Sequence, residues 1–336
     1  EYHMSEKREC EKQGAAGAPG TCAAWLTVLL AVMASSLGFA SEPSTLPFSK
    51  TGSVEIIDDA ALALIEPSAD LLIRSEGYKW SEGPVWIENG GYLLFSDIPN
   101  NVVLKHEPGA GTHVYLRDAG ATGLHPTDST AGSNGLLLDR DGRLVLFQQG
   151  DRRVAVMDAP LSEPEPRFLA LAGHYEGKRL NSPNDGVFHS DGSLYFTDPP
   201  YGLEKGLEDP RKELPYQGIY RLAPEGKLDL LDDSVSYPNG IAFTKDEKTL
   251  LVAVSDHDHP VWLAYDVQED GRLANNRVFH DAIELLGKDG EQGMPDGMAV
   301  HSSGVIFATG PGGVWLFKPN GHVLAKIRTG RLTANC

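Results

Sequence analysis

Five oxygen-bearing residues head five similar segments: Glu82, Asn134, Asn184, Asn239 and Asp296. The segments read Glu82-Gly83-Pro84-Val85-Trp86, Asn134-Gly135-Leu136, Asn184-Asp185-Gly186-Val187, Asn239-Gly240-Ile241 and Asp296-Gly297-Met298. In each, a turn follows seven positions after the head residue, at Asn89, Asp141, Asp191, Asp246 and Ser303. One Glu, one Asp and three Asn make an oxygen-rich donor set suited to a hard cation. The two carboxylates balance a divalent charge, and the amides add neutral oxygens. Open positions would remain for water or a substrate oxygen. Taken singly, Asn-Gly and Asp-Gly are turn formers ahead of strands. Five in one register favour a metal site.

Such convergence needs an architecture that brings equivalent positions to one point. A strand-like run follows the turn in each copy: Tyr92-Leu93-Leu94-Phe95, Leu144-Val145-Leu146-Phe147, Leu194-Tyr195-Phe196, Leu250-Leu251-Val252-Ala253-Val254 and Val305-Ile306-Phe307-Ala308. Asp141-Gly142 and Asp191-Gly192 are hairpin turns, because glycine accepts the positive φ they need. A third strand follows, as at Gly218-Ile219-Tyr220-Arg221, and a weaker fourth, as at Lys227-Leu228-Asp229-Leu230-Leu231. A period of roughly 50 residues with four antiparallel strands per unit predicts an all-β, six-bladed β-propeller. The first strand of each unit lines the axis, which puts the five head residues around the central channel. A sixth copy begins at Thr333-Ala334-Asn335 and stops at Cys336, so the last blade is expected to be incomplete, with the strands before Leu71 as one source of its missing part.

The totals are compatible with one large β domain. The 336 residues carry a net charge of −18, which argues against a nucleic-acid partner, and 41% are hydrophobic. Three cysteines, Cys10, Cys22 and Cys336, give neither a disulfide framework nor a zinc spacing. Residues 1–40 read as an export signal: Lys7, Arg8 and Lys12 precede an apolar run from Ala23 to Ala34, and small residues lead to cleavage after Ala40. A retained anchor is the alternative. Residues 41–65 read as a linker and lead-in strand, and 66–336 as the propeller. The mature protein is then expected outside the cytoplasm, with no stable membrane association. Oligomeric state is not legible.

Ser81-Glu82-Gly83-Pro84-Val85-Trp86, Asn181-Ser182-Pro183-Asn184-Asp185-Gly186, Tyr237-Pro238-Asn239-Gly240-Ile241-Ala242-Phe243 and Met294-Pro295-Asp296-Gly297-Met298 together resemble the gluconolactonase/regucalcin (senescence marker protein) family, over residues 70–336. The resemblance implies a six-bladed propeller with one divalent ion in its channel. Calcium is the expected ion, with zinc, magnesium and manganese as alternatives. It implies Glu82, Asn239 and Asp296 as ligands, with Asn184 completing the site or touching substrate. It also implies hydrolysis of a small-molecule lactone, with Asp296 or Asp185 as general base. Asn134, Asn184, Arg179 and His125 are the candidate substrate contacts.

Two positions depart from the family pattern: Ser182 stands where regucalcin-like members carry Arg, and Gln149 where many bacterial relatives carry His. Phosphotriester hydrolysis at the same site, or a non-catalytic metal-bound propeller binding a small ligand or a protein, are the competing readings. No nucleophile elbow or Cys/His pair is present. Asp97, Asp198 and Asp256 read as turn formers and Asp256-His257-Asp258-His259 as a solvated loop. Trp86, Trp262 and Trp315 read as fillers between blades. The charged stretch 203–215 reads as a substrate lid.

Overall fold

The computed structural model describes residues 48–125 and 129–336. The export segment and residues 41–47 of the expected linker lie outside the described residues.

The chain folds as an all-β propeller. Blade one comprises Ser81–Ile87, Tyr92–Asp97, Val102–Glu107 and Gly111–Arg117. Blade two comprises Ser133–Leu138, Leu144–Gln148, Arg153–Met157 and Phe168–Ala172. Blade three comprises Gly186–Phe188, Leu194–Asp198, Gly218–Leu222 and Leu228–Asp232. Blade four comprises Pro238–Phe243, Thr249–Val254, Val261–Val267 and Leu273–Asp281. Blade five comprises Met298–Val300, Ile306–Gly310, Gly313–Phe317 and Val323–Arg328. Within every blade, strands adjacent in sequence pair antiparallel. The helical elements among the described residues are short 3-10 turns, including Gly206–Glu208 in the expected lid and Ile283–Leu285, and two small two-stranded ladders pair Lys50–Thr51 with Leu71–Leu72 and His174–Tyr175 with Lys178–Arg179.

Five such sheets are described, where the sequence predicts six. The lead-in strand does not begin a sixth. Ser53–Ile56 pairs with the outermost strand of blade five, Val54 opposite Ile327, and makes that sheet five-stranded. The tail occupies the next ring position without forming a sheet of its own: Gly297 N–H donates to Ala334 O at 2.8 Å.

Alternation along the strands decides the packing, because each face must meet an apolar neighbour. Leu94, Leu136 and Leu144 join blades one and two. Phe147, Phe196 and Tyr220 join two and three. Tyr195, Phe243 and Leu250 join three and four. Trp262, Trp315 and Phe317 join four and five. The two remaining faces are covered differently. On blade five, Leu316 and Leu324 pack against Ala61 of the lead-in turn. On blade one, Phe95, Val102 and Leu104 pack against Tyr78. A cleft of 440 Å3 lies beside this face, lined by Leu72, Tyr78, Phe95 and Leu332. This corrects one expectation. Trp262 and Trp315 are buried between blades, whereas Trp86 is 48% exposed, with its indole N–H on Glu88. Among the described residues, no sheet covers the face from which Trp86 projects.

Candidate active site

Three of the five head residues leave their strands through a local irregularity. The ladder slips between Glu82 and Val85, between Ser133 and Leu136, and between Pro238 and Ile241. A bulge re-aims the side chain next to it, and in all five segments a glycine follows the head residue or its neighbour. Gly83 has φ +54, and a Cβ there would lie 2.4 Å from Asn134 O. The glycine therefore serves both the left-handed backbone and the close approach of the next blade.

The head residues touch in ring order. Gly135 N–H donates to Asn184 O at 2.8 Å. Hydroxyls on second strands bind the head of the following blade: Ser96 Oγ donates to Asn134 O at 2.8 Å, Thr197 Oγ1 to Asn239 O at 2.7 Å and Thr309 Oγ1 to Ala334 O at 2.9 Å. Asn335 Nδ2 donates to Glu82 Oε2 at 3.2 Å, so the sixth position returns to the first. These three hydroxyls escaped the sequence reading. The signal for them was faint: a Ser or Thr beside the Asp or Gly ending a second strand.

The ring collects negative charge in a buried place. Burial raises Glu82, although Trp80 Nε1, Asn335 Nδ2 and Gly83 N–H all donate to it. Burial pushes Asp185 up to about 7, with the Glu82 charge adding to the rise and the Gly186 and Ile241 N–H groups opposing it. Asp296 is raised well above the usual carboxylate range, first by burial and then by the charges of Glu82 and Asp185. The Asn239 amide lowers it. That amide also donates to Ser255 Oγ at 2.9 Å, and Ser255 Oγ donates to Pro295 O at 2.6 Å.

Among the described residues, no three His, Cys, Asp or Glu side chains converge closely enough to hold an ion by themselves. The converging set is mixed. Asn134 Oδ1 and Asn184 Oδ1 are buried with no hydrogen-bond partner among the protein's groups. Orphaned buried acceptors are costly, and a cation would satisfy them while relieving the crowded carboxylates. The donor set therefore fits a hard divalent ion.

The other predicted residues are placed as follows. Arg179 donates to Asp151 O at 3.2 Å and its backbone N–H to Glu213 at 2.8 Å; neither partner belongs to the ring. His125 is exposed, next to the undescribed 126–128. Asp97 and Asp198 do more than form turns. Asp97 Oδ1 accepts the Trp80 N–H at 3.2 Å, and Asp198 accepts those of Asn181 and Ser182 at 2.7 and 2.8 Å. Each clamps the approach to the head residue of its own blade. Asp256 does form a turn, accepting the Asp258 N–H at 2.9 Å.

Ser182 and Gln149 share a role. Ser182 Oγ donates to Pro199 O at 2.6 Å and accepts the Gly202 N–H at 2.8 Å. A Cβ on Gly202 would lie 2.7 Å from the Gln149 Cβ and 2.8 Å from the Ser182 Cβ. The pair thus seats the loop that carries Tyr201.

Residues 80–336 match the family described as the SMP-30/Gluconolactonase/LRE-like region. A gluconolactonase from Zymomonas mobilis is 36% identical over 278 residues, spanning 82% of this chain and 77% of the relative. The solved structure of a gluconolactonase from Xanthomonas campestris is similar at TM-score 0.70 and 31% identity, covering 87% of this chain and 92% of that one. A calcium-binding regucalcin from Agrobacterium tumefaciens shares the fold at TM-score 0.56 and 17% identity, covering 86% and 81%.

Proposed function

The chain belongs to the SMP-30/gluconolactonase/LRE-like family, and on that premise we propose that it is a lactonase that hydrolyses a sugar lactone with the help of one divalent ion. The observation that carries this reading is the position of Asp296. It lines a 220 Å3 cavity together with Asn239, while Glu82 and Asp185 act on it electrostatically.

Glu82, Asn184, Asn239 and Asp296 would hold the ion, calcium in our reading, with zinc, magnesium and manganese as alternatives. When bound, it would supply a Lewis acid for the lactone carbonyl. Asp296 takes the proton from the attacking water, since it is the carboxylate that lines the cavity. Asp185 is more deeply buried and tunes the proton affinity of Asp296 by its charge. The water oxygen bonds to the carbonyl carbon and the ring C–O bond breaks. The departing oxygen takes up a proton, and the product is the open-chain hydroxy acid. Asn134 and Asn184 contribute amide oxygens to the same ring.

We also infer a six-fold ring whose sixth position is Asn335, and export with cleavage after Ala40. The reaction is tested by titrating acid release from glucono-1,5-lactone, using chelated protein with each metal added back and a blank for spontaneous ring opening. Metal-dependent turnover in the wild type and its loss in Asp296→Asn are expected. Full activity in Asp296→Asn would remove the proposed base.

A further inference from the structure

The cavity over Asn239 and Asp296 also has aromatic walls, Trp80 and Tyr201, with His257 and Met294 alongside. Its 220 Å3 is below the roughly 300–1,000 Å3 of pockets that take drug-sized ligands. It therefore suits one small ring.

Both aromatic walls are held in place before any ligand arrives. The Trp80 indole N–H donates to Glu82 Oε1 at 3.2 Å and its backbone N–H to Asp97 Oδ1 at 3.2 Å, yet the residue is 44% exposed. An indole anchored at its polar edge keeps a flat apolar surface free. Tyr201 stacks on Tyr237, with ring centroids 5.9 Å apart and planes inclined by 23°. Ser255, which lines the same cavity, receives the Asn239 amide at 2.9 Å.

Tyr237 itself has φ 48, a left-handed backbone that is costly for a bulky residue and persists only where the surroundings impose it. Gln217 Oε1 accepts its N–H at 3.0 Å, and its carbonyl accepts the Ser255 N–H at 3.0 Å. Beneath Tyr201, the seat formed by Ser182 and Gln149 leaves no room for a Cβ at position 202, and Gly202 fits it because it has none. Several independent contacts thus converge on the placement of one aromatic pair, of which Tyr201 is exposed. Such preorganisation has no evident use in folding and lowers the entropic cost of binding.

We propose that Trp80 and the Tyr201–Tyr237 stack form the recognition subsite for the ring of a single sugar lactone, with Trp80 as the platform for its C–H face. This rests on the lactonase reading of the same site. A sugar ring carries C–H bonds on its faces and hydroxyls on its rim. The faces suit an indole, and the rim suits Asn239, Asp296 and His257. An open-chain ester or an extended substrate offers no such combination in so small a volume.

The test is calorimetric binding of D-glucono-1,5-lactam, a ring analogue that resists hydrolysis, to the full chain in calcium-containing buffer. Trp80→Leu is expected to weaken binding about tenfold, and Tyr201→Ala several-fold. Trp80→Phe keeps an aromatic face but drops the indole N–H, and is expected to stay within about threefold of wild type. Wild-type affinity in Trp80→Leu would overturn the proposal. So would an equal loss in Trp80→Phe, which would assign the effect to the bond with Glu82. If the wild type binds the lactam but hydrolyses no lactone, the reaction reading fails and the subsite stands. If it hydrolyses lactones without binding the lactam, the subsite alone fails.

Discussion

Asn335 Nδ2 lies 3.2 Å from Glu82 Oε2, a hydrogen bond between residues 253 positions apart. It joins the last ring position to the first and donates to a buried carboxylate that burial makes hard to ionise. Hydrogen bonds to charged groups contribute about 1.5–3 kcal/mol. Asn335→Ala is therefore expected to lower unfolding stability in urea by about that amount. A midpoint unchanged from wild type would show that the tail does not brace Glu82.

The carboxylate ring predicts an inverted pH dependence for the chelated protein. Asp185 is raised from 3.8 to about 7, so the folded state binds its proton more tightly than the unfolded chain does. Its contribution is complete below the unfolded value and is lost as pH rises through 7. Glu82 and Asp296 shift in the same direction. The melting temperature in EDTA should fall between pH 5 and about pH 8. Added calcium should restore most of the loss at the upper end. A flat profile in EDTA would mean that the three carboxylates do not share one field.

Gly83 is expected to tolerate no side chain. At φ +54 an L-residue is strained, and its Cβ would strike the Asn134 carbonyl at 2.4 Å. The strained backbone alone costs about 1–3 kcal/mol. Gly83→Ala should therefore show both a lower denaturation midpoint and reduced lactone turnover. Stability without activity would separate the bulge from the fold.

Trp262 is fully buried, its ring 5.4 Å from Phe317 and 6.0 Å from Trp315. Trp262→Ala should cost about 3–5 kcal/mol, because the cavity cannot collapse between two sheets. Trp86 is exposed, and Trp86→Ala should change stability by less than about 1 kcal/mol. Equal losses in the two variants would contradict the assignment of the interblade faces.

The sequence by itself determined the periodic parts. The head residues, their glycines and the turns seven positions on are local patterns, and the structure places them where the period predicts. Gly142 and Gly192 have φ of 75 and 95, as their hairpin turns require. The oxygen-rich ring was legible for the same reason: equivalent positions in stacked repeats must converge.

What the tertiary structure decided is which surfaces meet across long sequence separations. Ser53–Ile56 joined the outer edge of blade five, because its alternating face found an open strand there. Trp86 and Trp262 read alike in sequence, yet among the described residues only the face bearing Trp262 has a sheet against it. Tyr201 and Tyr237 sit in separate loops, and no period relates them. Their stack depends on Ser182, Gln149, Gln217 and Ser255, which come from three different blades. Local periodicity fixes where strands and turns fall, whereas the partner of each side chain is set by contacts that close only when the ring is assembled.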